Sequence, residues 1–246
     1  MTQPLQSPQS STSANMLRTT PTHQILSTLF ASLSHDARPW TLTRILHSDN
    51  PMDINGELNG TATFTHLARD VDDSQGRERD MVYREEGEMP KTLMGMAGLR
   101  WSKKYVWRLG EEGKMSVWFA KVGGGAGKGI STGTGNGNEE ADYLFHEFDF
   151  NTPEGSTESQ DGDNKTTFVT APTPPVAANP RNTTILTARG NHLCINDMYR
   201  TAYAFRVLPD TGEVLSWSSR HEVQGPKKDQ DIVNIYQREQ SMLAER

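Results

Sequence analysis

The chain has 246 residues, of which 34% are hydrophobic, and its formal charge at pH 7 is -6. This length allows one large β domain or two small ones, and the acidic balance disfavours a general nucleic-acid binder, which needs a basic face. A single cysteine, no apolar run of about 20 residues and no secretory signal together predict an intracellular protein, cytoplasmic in location, without a disulfide or a membrane span.

The N-terminal part of the chain changes from a polar tail to an amphipathic segment. Residues 1–21 are rich in Gln, Ser, Thr and Pro, and this composition predicts a disordered tail. A short helix is predicted over Thr22–Ser34, with Thr22 as its N-cap. The apolar residues that repeat at helical spacing are Ile25, Leu26, Leu29, Phe30 and Leu33.

From Pro39 onwards the apolar residues recur every second position, which is typical of half-buried β-strands. Ten strands are predicted, at residues 40–46, 60–67, 81–89, 98–109, 114–121, 141–150, 183–194, 197–207, 213–223 and 230–238. Turn signals such as Asn55-Gly56 separate them, and a bulge is expected at Gly190. Because most connections are short, successive strands should be antiparallel neighbours in a meander.

Two inserts interrupt the strand pattern. Residues 122–138 contain eight glycines in seventeen positions and predict a flexible hairpin extension. They do not form a phosphate-binding loop, because Gly129 follows Gly127-Lys128 where Ser or Thr is needed. Residues 151–182 are polar with a proline-rich end and are expected to lack fixed structure.

These elements predict an all-β fold, an antiparallel up-and-down β-barrel of about ten strands with a short N-terminal helix and disordered inserts. The barrel would form one domain over residues 22–240, followed by a tail over residues 241–246. A barrel of eight to ten strands is wide enough to hold one small ligand.

Several ordered motifs resemble a known but uncharacterised family. They include Trp40-Thr-Leu-x-Arg44, Tyr83-Arg-Glu-Glu-Gly87, Tyr105-x-Trp107-Arg108, His192-Leu-Cys194-x-x-Asp197-x-Tyr199 and Gly225-Pro-Lys-Lys-Asp229. The chain resembles the domain of unknown function 6314 family over residues 31–238. Its element order is also similar to that of the calycin superfamily, which includes lipocalins, fatty-acid-binding proteins and nitrobindin-like haem barrels. The resemblance implies a calycin-like ligand-binding barrel and no particular activity.

The first candidate site consists of His146, His192, Cys194 and Asp197. A thiolate nucleophile requires a neighbouring histidine and a carboxylate that orients this histidine, and all three residue types occur here. The alternative is a buried structural cysteine with histidines hydrogen-bonded at the barrel rim.

The second candidate site is charged. Arg44 lies on the apolar parity of its strand, so it should point inward and either pair with Glu86 or receive a ligand carboxylate or phosphate. Arg108 is a further candidate, and structural ion pairs are the alternative for each of these residues. The turn lysines Lys227 and Lys228, with the backbone amides of their turn, could bind an anion or could simply protect a sheet edge. Tyr199 is a further candidate for a polar contact to a ligand.

We therefore hypothesise a binding module for a small, partly apolar, anionic ligand. The first alternative is an enzyme with His146 or His192 as general base and Glu86 or Asp197 as partner. The second alternative is a haem-binding barrel, in which a single inward histidine ligates the iron. No zinc-type His or Cys spacing occurs, so no metal site is predicted. The sequence leaves the oligomeric state open.

Overall fold

The computed structural model describes residues 15–16, 20–67, 79–90, 98–121, 140–150, 158–159, 166–176, 182–226 and 228–238. The glycine-rich insert, the C-terminal tail, and most of the N-terminal tail and the second insert lie outside these ranges. These ranges contain one helix, α1 (His23–Leu33), and Thr22 is its N-cap as predicted, because its side chain accepts a hydrogen bond from the Ile25 amide.

Among the described residues, ten strands of six or more residues follow α1, as the alternation of apolar residues predicts. They are β1 (Trp40–Ser48), β2 (Gly56–His66), β3 (Arg79–Glu88), β4 (Arg100–Leu109), β5 (Met115–Ala120), β6 (Ala141–Glu147), β7 (Thr184–Cys194), β8 (Asp197–Val207), β9 (Val214–Gly225) and β10 (Lys228–Gln237). All pairs of neighbours among these strands are antiparallel. Three two-residue strands accompany the ten: Asn15–Met16, within the predicted disordered tail, pairs in parallel with Thr184–Ile185, and Glu158–Ser159 pairs with Thr166–Thr167.

The strands form a nearly closed barrel. The hydrogen-bonded order is β7-β8-β9-β10-β1-β2-β3-β4-β5-β6, so the last strand pairs with the first. The open seam lies between β6 and β7, where the isolated bridge between Asp149 and Arg189 joins the two sides. Their backbone amides and carbonyls exchange hydrogen bonds of 2.7 and 2.9 Å. The prediction of an antiparallel barrel with an N-terminal helix is therefore confirmed, and the barrel is consistent with a calycin-like architecture.

Helix α1 covers one end of the barrel, which we call the helix end. Its apolar face, formed by Leu26, Leu29, Phe30 and Leu33, is buried in the main core. Hydrogen bonds fix its position, since Ser32 Oγ accepts from the Val214 amide at the start of β9. The opposite end carries the turns after β1, β3, β5, β7 and β9, and we call it the mouth.

The predicted bulge at Gly190 is wrong, because β7 and β8 pair in unbroken register from Thr184 to Cys194. A glycine is required at this position for a different reason. A Cβ at this position would collide with the His146 ring and with the Glu147 carbonyl of β6. Glycine therefore allows the two strands to approach each other at the seam.

The proline-rich end of the second insert packs on the outside of β8 and β9. Because prolines lack N–H groups, the backbone of this segment bonds to the barrel through its proline carbonyl oxygens. Arg206 donates to the Pro174 carbonyl at 2.9 Å and to the Pro175 carbonyl at 3.0 Å. Ser216 also donates to the Pro175 carbonyl. Residues 168–176 thus have a fixed place on the barrel, although their composition predicts otherwise.

Candidate functional site

The half of the barrel nearer the mouth encloses a cavity of about 90 Å³. Trp107 and Trp217 lie on its side toward the helix end, and several charged or polar groups line the rest. The polar lining residues are Arg44, Tyr83, Glu85, Lys103, Tyr105, Tyr199, Tyr203, Ser219, His221, Asn234 and Tyr236.

A buried ion pair crosses this lining. Arg44 and Glu85 are 4% and 3% exposed, and Arg44 Nη2 lies 2.5 Å from Glu85 Oε2. Arg44 Nε also donates to Asn234 Oδ1 at 2.7 Å, and Asn234 Nδ2 donates to Ser219 Oγ at 2.9 Å. These bonds satisfy the groups that burial has removed from water.

The second oxygen of Glu85 accepts from two tyrosines. Tyr236 donates to Glu85 Oε1 at 2.8 Å, and Tyr83 donates to the same oxygen. Burial would raise the pKa of Glu85, but the charges of Arg44 and Lys103 and these two hydrogen bonds outweigh burial and hold the pKa below its usual value. Glu85 is therefore ionised, and both of its oxygens are occupied.

Lys103 is a second cation in the same group. It stands directly opposite Glu85 in the β3–β4 register and lines the cavity, and solvent reaches its side chain through the mouth. Within the described part of the chain it has no hydrogen-bond or ion-pair partner. Burial of part of the side chain against the barrel wall, followed by the positive charge of Arg44, lowers the pKa of Lys103 to about 8. The negative charge of Glu85 acts in the opposite direction. At pH 7 the ammonium form still dominates.

Two further donors lack acceptors. Tyr105 lines the cavity, and its hydroxyl has no hydrogen-bond partner among the residues that the structure describes. Burial and the Glu85 charge raise the pKa of Tyr105 to about 12, so it remains a donor. Trp217 also lines the cavity, and its buried Nε1 has no acceptor in the described ranges.

His221 is a further polar residue of the cavity lining and lies nearer the mouth. Its Nε2 lies 3.1 Å from Ser219 Oγ. Burial, followed by the charges of Lys103 and Arg44, lowers the pKa of His221 to about 3. The ring is therefore neutral at physiological pH and does not add a third cation.

The rim of the mouth is held by Lys228, whose Nζ lies 2.9 Å from Asp197 Oδ2 and 2.8 Å from the Tyr199 hydroxyl. The turn between β9 and β10 therefore does sit at the same end as the start of β8. Lys228 is already neutralised by Asp197, so it contributes no free charge to the cavity. Lys227, the other candidate of this turn, lies outside the described residues.

A comparison of the chain with known families gives a match to one of them. The model of a family of unknown function, DUF6314, matches residues 37–164 and 159–238. The chain belongs to this family. No curated protein and no solved structure matches the chain. No helix among the described residues of this DUF6314 protein is long and apolar enough to cross a membrane.

The cysteine–histidine candidates of the DUF6314 chain are neighbours without a connecting hydrogen bond in the described structure. His146 is 2% exposed, and its Nε2 lies 3.1 Å from the Tyr203 hydroxyl. His192 packs against Phe145, with ring centroids 5.4 Å apart. Cys194 pairs with Asp197 only through the backbone register of β7 and β8. A nucleophilic role for Cys194 stays a prediction.

The seam beside these histidines forms a second, wider cleft of about 410 Å³. Two ring nitrogens there, Nδ1 of His146 and Nε2 of His192, are buried without partners among the described residues. Burial, and then the nearby His221 and His192, lower the pKa of His146 well below its usual value. The His146 ring is therefore neutral, and it lines the seam cleft as a polar but uncharged group.

Two of the predicted site residues, Glu86 and Arg108, face the outside of the barrel. Arg44 pairs with Glu85, and the predicted pairing with Glu86 is wrong, because Glu86 points outward to Arg100, with 3.7 Å between the charged groups. Arg108 also lies on the outer wall, where Asp80 accepts from its Nε at 2.8 Å.

Lys103 is a candidate site residue that the sequence reasoning missed. Its strand shows a clear inward parity at Trp101, Tyr105 and Trp107, and Lys103 occupies the intervening position of that same face. The signal was therefore present, but a lysine within an aromatic run is easily assigned to the solvent face.

No group of three or more His, Cys, Asp or Glu side chains in the described ranges could hold a metal ion. The haem alternative stays a prediction, and the cavity offers little support for it. At about 90 Å³ it lies well below the roughly 300 Å³ at which pockets for drug-sized molecules begin. This cavity therefore does not accommodate a macrocycle in this conformation, and the size argument does not apply to the wider seam cleft.

Proposed function

We propose that the barrel binds one small carboxylate in the cavity beside Lys103. The observation that carries this proposal is a charge imbalance, since two cations, Arg44 and Lys103, line the cavity with one carboxylate, Glu85. Both oxygens of Glu85 are already occupied by Arg44 and the two tyrosines. Lys103 makes no ion pair among the described residues, so an anionic ligand beside it has favourable electrostatic energy.

The hydrogen-bonding groups favour the same class of ligand. Lys103, Tyr105 and Trp217 are donors on residues that line the cavity, and none has an acceptor among the described residues. A carboxylate provides two oxygens that accept such bonds and no donor that would compete with them.

The size of the cavity limits the ligand. A water molecule in the liquid occupies about 30 Å³, so 90 Å³ corresponds to roughly three waters. Aromatic side chains, including Trp107 and Phe145, form much of the remaining lining. The ligand we propose therefore has a carboxylate and a short apolar part.

The proposal is tested by titrating the purified protein with acetate and propionate in a calorimeter. We expect saturable binding by the wild-type protein and a loss of affinity of at least about tenfold in Lys103→Met, because a hydrogen bond to a charged group contributes about 1.5–3 kcal/mol. Lys114→Met is the matched control. Lys114 is 71% exposed at the helix end, beside Glu112, and its removal should leave the affinity unchanged.

Two results would contradict the proposal. The first is the absence of saturable binding for both carboxylates in the wild-type protein. The second is equal affinity in the wild-type protein and Lys103→Met, which would mean that the anion binds elsewhere.

A further inference from the structure

We propose that Lys103 captures the carbonyl carbon of a small 2-oxo acid as an imine, with the carboxylate of that acid in the anion site. This inference rests on the proposed function and specifies the ligand further. Lys103 then forms a covalent bond to the ligand in addition to attracting the ligand carboxylate by its positive charge.

The surroundings of Lys103 distinguish it from the other lysines that the structure describes. Lys114, Lys121 and Lys228 face acidic partners, at 3.5, 2.9 and 2.9 Å respectively. Lys103 has no such partner, and it lines a cavity that a small molecule can occupy. Its amine is therefore free to react.

A lysine becomes a nucleophile when it loses its proton, and another cation close by favours this loss. The charged and titratable groups of the cavity that act on Lys103 are Arg44 and Glu85, and its ammonium in turn acts on the neutral His221. With a pKa of about 8, the neutral amine at pH 7 is roughly a few hundred times more abundant than in an ordinary lysine.

The chemistry balances without an oxidant or a reductant. The lone pair of neutral Lys103 Nζ attacks the carbonyl carbon, the C–N bond forms, and the carbonyl π electrons move to oxygen. The nitrogen then releases one proton and the oxygen takes one up, which gives a neutral carbinolamine. The nitrogen lone pair, now free, forms the C=N bond while the C–O bond breaks and the hydroxyl, protonated from solvent at the mouth, leaves as water. The product iminium is positive, and the carboxylate of the same molecule neutralises it.

Tyr105 is placed to assist this sequence. It follows Lys103 by two residues on the same face of β4, and both line the cavity. Its hydroxyl stays protonated, because burial raises the pKa of Tyr105 to about 12. It can therefore donate a hydrogen bond to the oxygen on which negative charge develops.

The test uses the full chain, pyruvate as the probe and sodium borohydride to reduce the imine to a stable amine. Intact-mass measurement should show one adduct per chain in the wild-type protein, and peptide mapping should place it on Lys103. Lys103→Arg keeps the positive charge but cannot form an imine, so we expect at least a tenfold loss of adduct. Lys114→Arg should retain it.

Each outcome separates this inference from the proposed function. The inference is overturned if the wild-type protein gives no adduct, if the adduct maps to other lysines, or if Lys103→Arg retains it. Acetate binding by the same wild-type preparation shows whether the anion site survives that failure. Peptide mapping of the wild-type protein decides the matter even if Lys103→Arg does not fold.

Discussion

The two halves of the barrel are built from the same strands and have opposite interiors. Toward the helix end, Trp40, Phe64, Met81 and Phe205 fill the interior together with the apolar face of α1. Toward the mouth, the same strands turn Arg44, Glu85, Lys103 and His221 inward around a cavity. One half is a fully packed apolar core, and the other surrounds a cavity lined by polar side chains.

This difference indicates where stability and function reside. Burial of apolar area stabilises the fold, whereas a buried ion pair rarely improves on well-packed apolar residues of similar volume. A chain selected for stability alone would continue the apolar packing to the mouth. The polar half, which contributes less to stability, is therefore the part that suits the binding function we propose.

The largest expected effect lies at the helix end. Phe30 is fully buried between α1 and the barrel, so Phe30→Ala should lower the free energy of unfolding by about 3–5 kcal/mol through lost burial and the cavity left behind. Urea unfolding followed by circular dichroism measures this loss. Met52→Ala is the control, since Met52 is 88% exposed, and its loss should stay below about 0.5 kcal/mol. Equal losses in the two variants would show that α1 does not contribute to the core.

A smaller effect is expected in the polar half. Glu85→Gln leaves Arg44 and Lys103 without a counter-charge, and removing one partner of a buried pair costs about 3 kcal/mol. The same unfolding experiment applies. Glu86→Gln is the matched control, because Glu86 is the adjacent residue and points outward, so it should cost less than about 0.5 kcal/mol. A larger loss of unfolding free energy in Glu86→Gln than in Glu85→Gln would contradict this assignment and place Glu86 inside the barrel.

The smallest effect should appear only in mild acid. The pKa of His221 is about 3 in the folded protein and about 6.5 when unfolded, so the unfolded state binds more protons between these values. Stability should therefore fall as the pH decreases from about 6.5. His221→Gln should reduce this slope between pH 6.5 and 5, where His146 accounts for part of what remains. His47→Gln, at an exposed position, should keep the wild-type slope.

Much of the fold follows from local patterns. The alternation of apolar residues predicts all ten strands, and the spacing of Leu26, Leu29, Phe30 and Leu33 predicts α1, because each pattern reflects one buried face. The proline-rich segment was misjudged for a physical reason. Its fixed position depends on Arg206 and Ser216, which lie far along the chain, and composition carries no information about such partners.

The candidate site was predicted less completely. The inward orientation of Arg44 follows from strand parity, but its partner was assigned one position too far along β3, and a shift of one residue exchanges the two faces of a strand. Met81 and Tyr83 define the inward parity that leads to Glu85. The importance of Lys103 depends on the absence of a partner across the barrel, and this can be seen only in three dimensions.

A wall of hydrogen-bonded strands has a circumference fixed by strand number and register. Nine of the ten junctions around this wall are hydrogen-bonded ladders, while the junction of β6 and β7 depends on the bridge between Asp149 and Arg189. Widening the barrel to admit a ligand larger than the cavity would therefore break the fewest backbone hydrogen bonds at the seam.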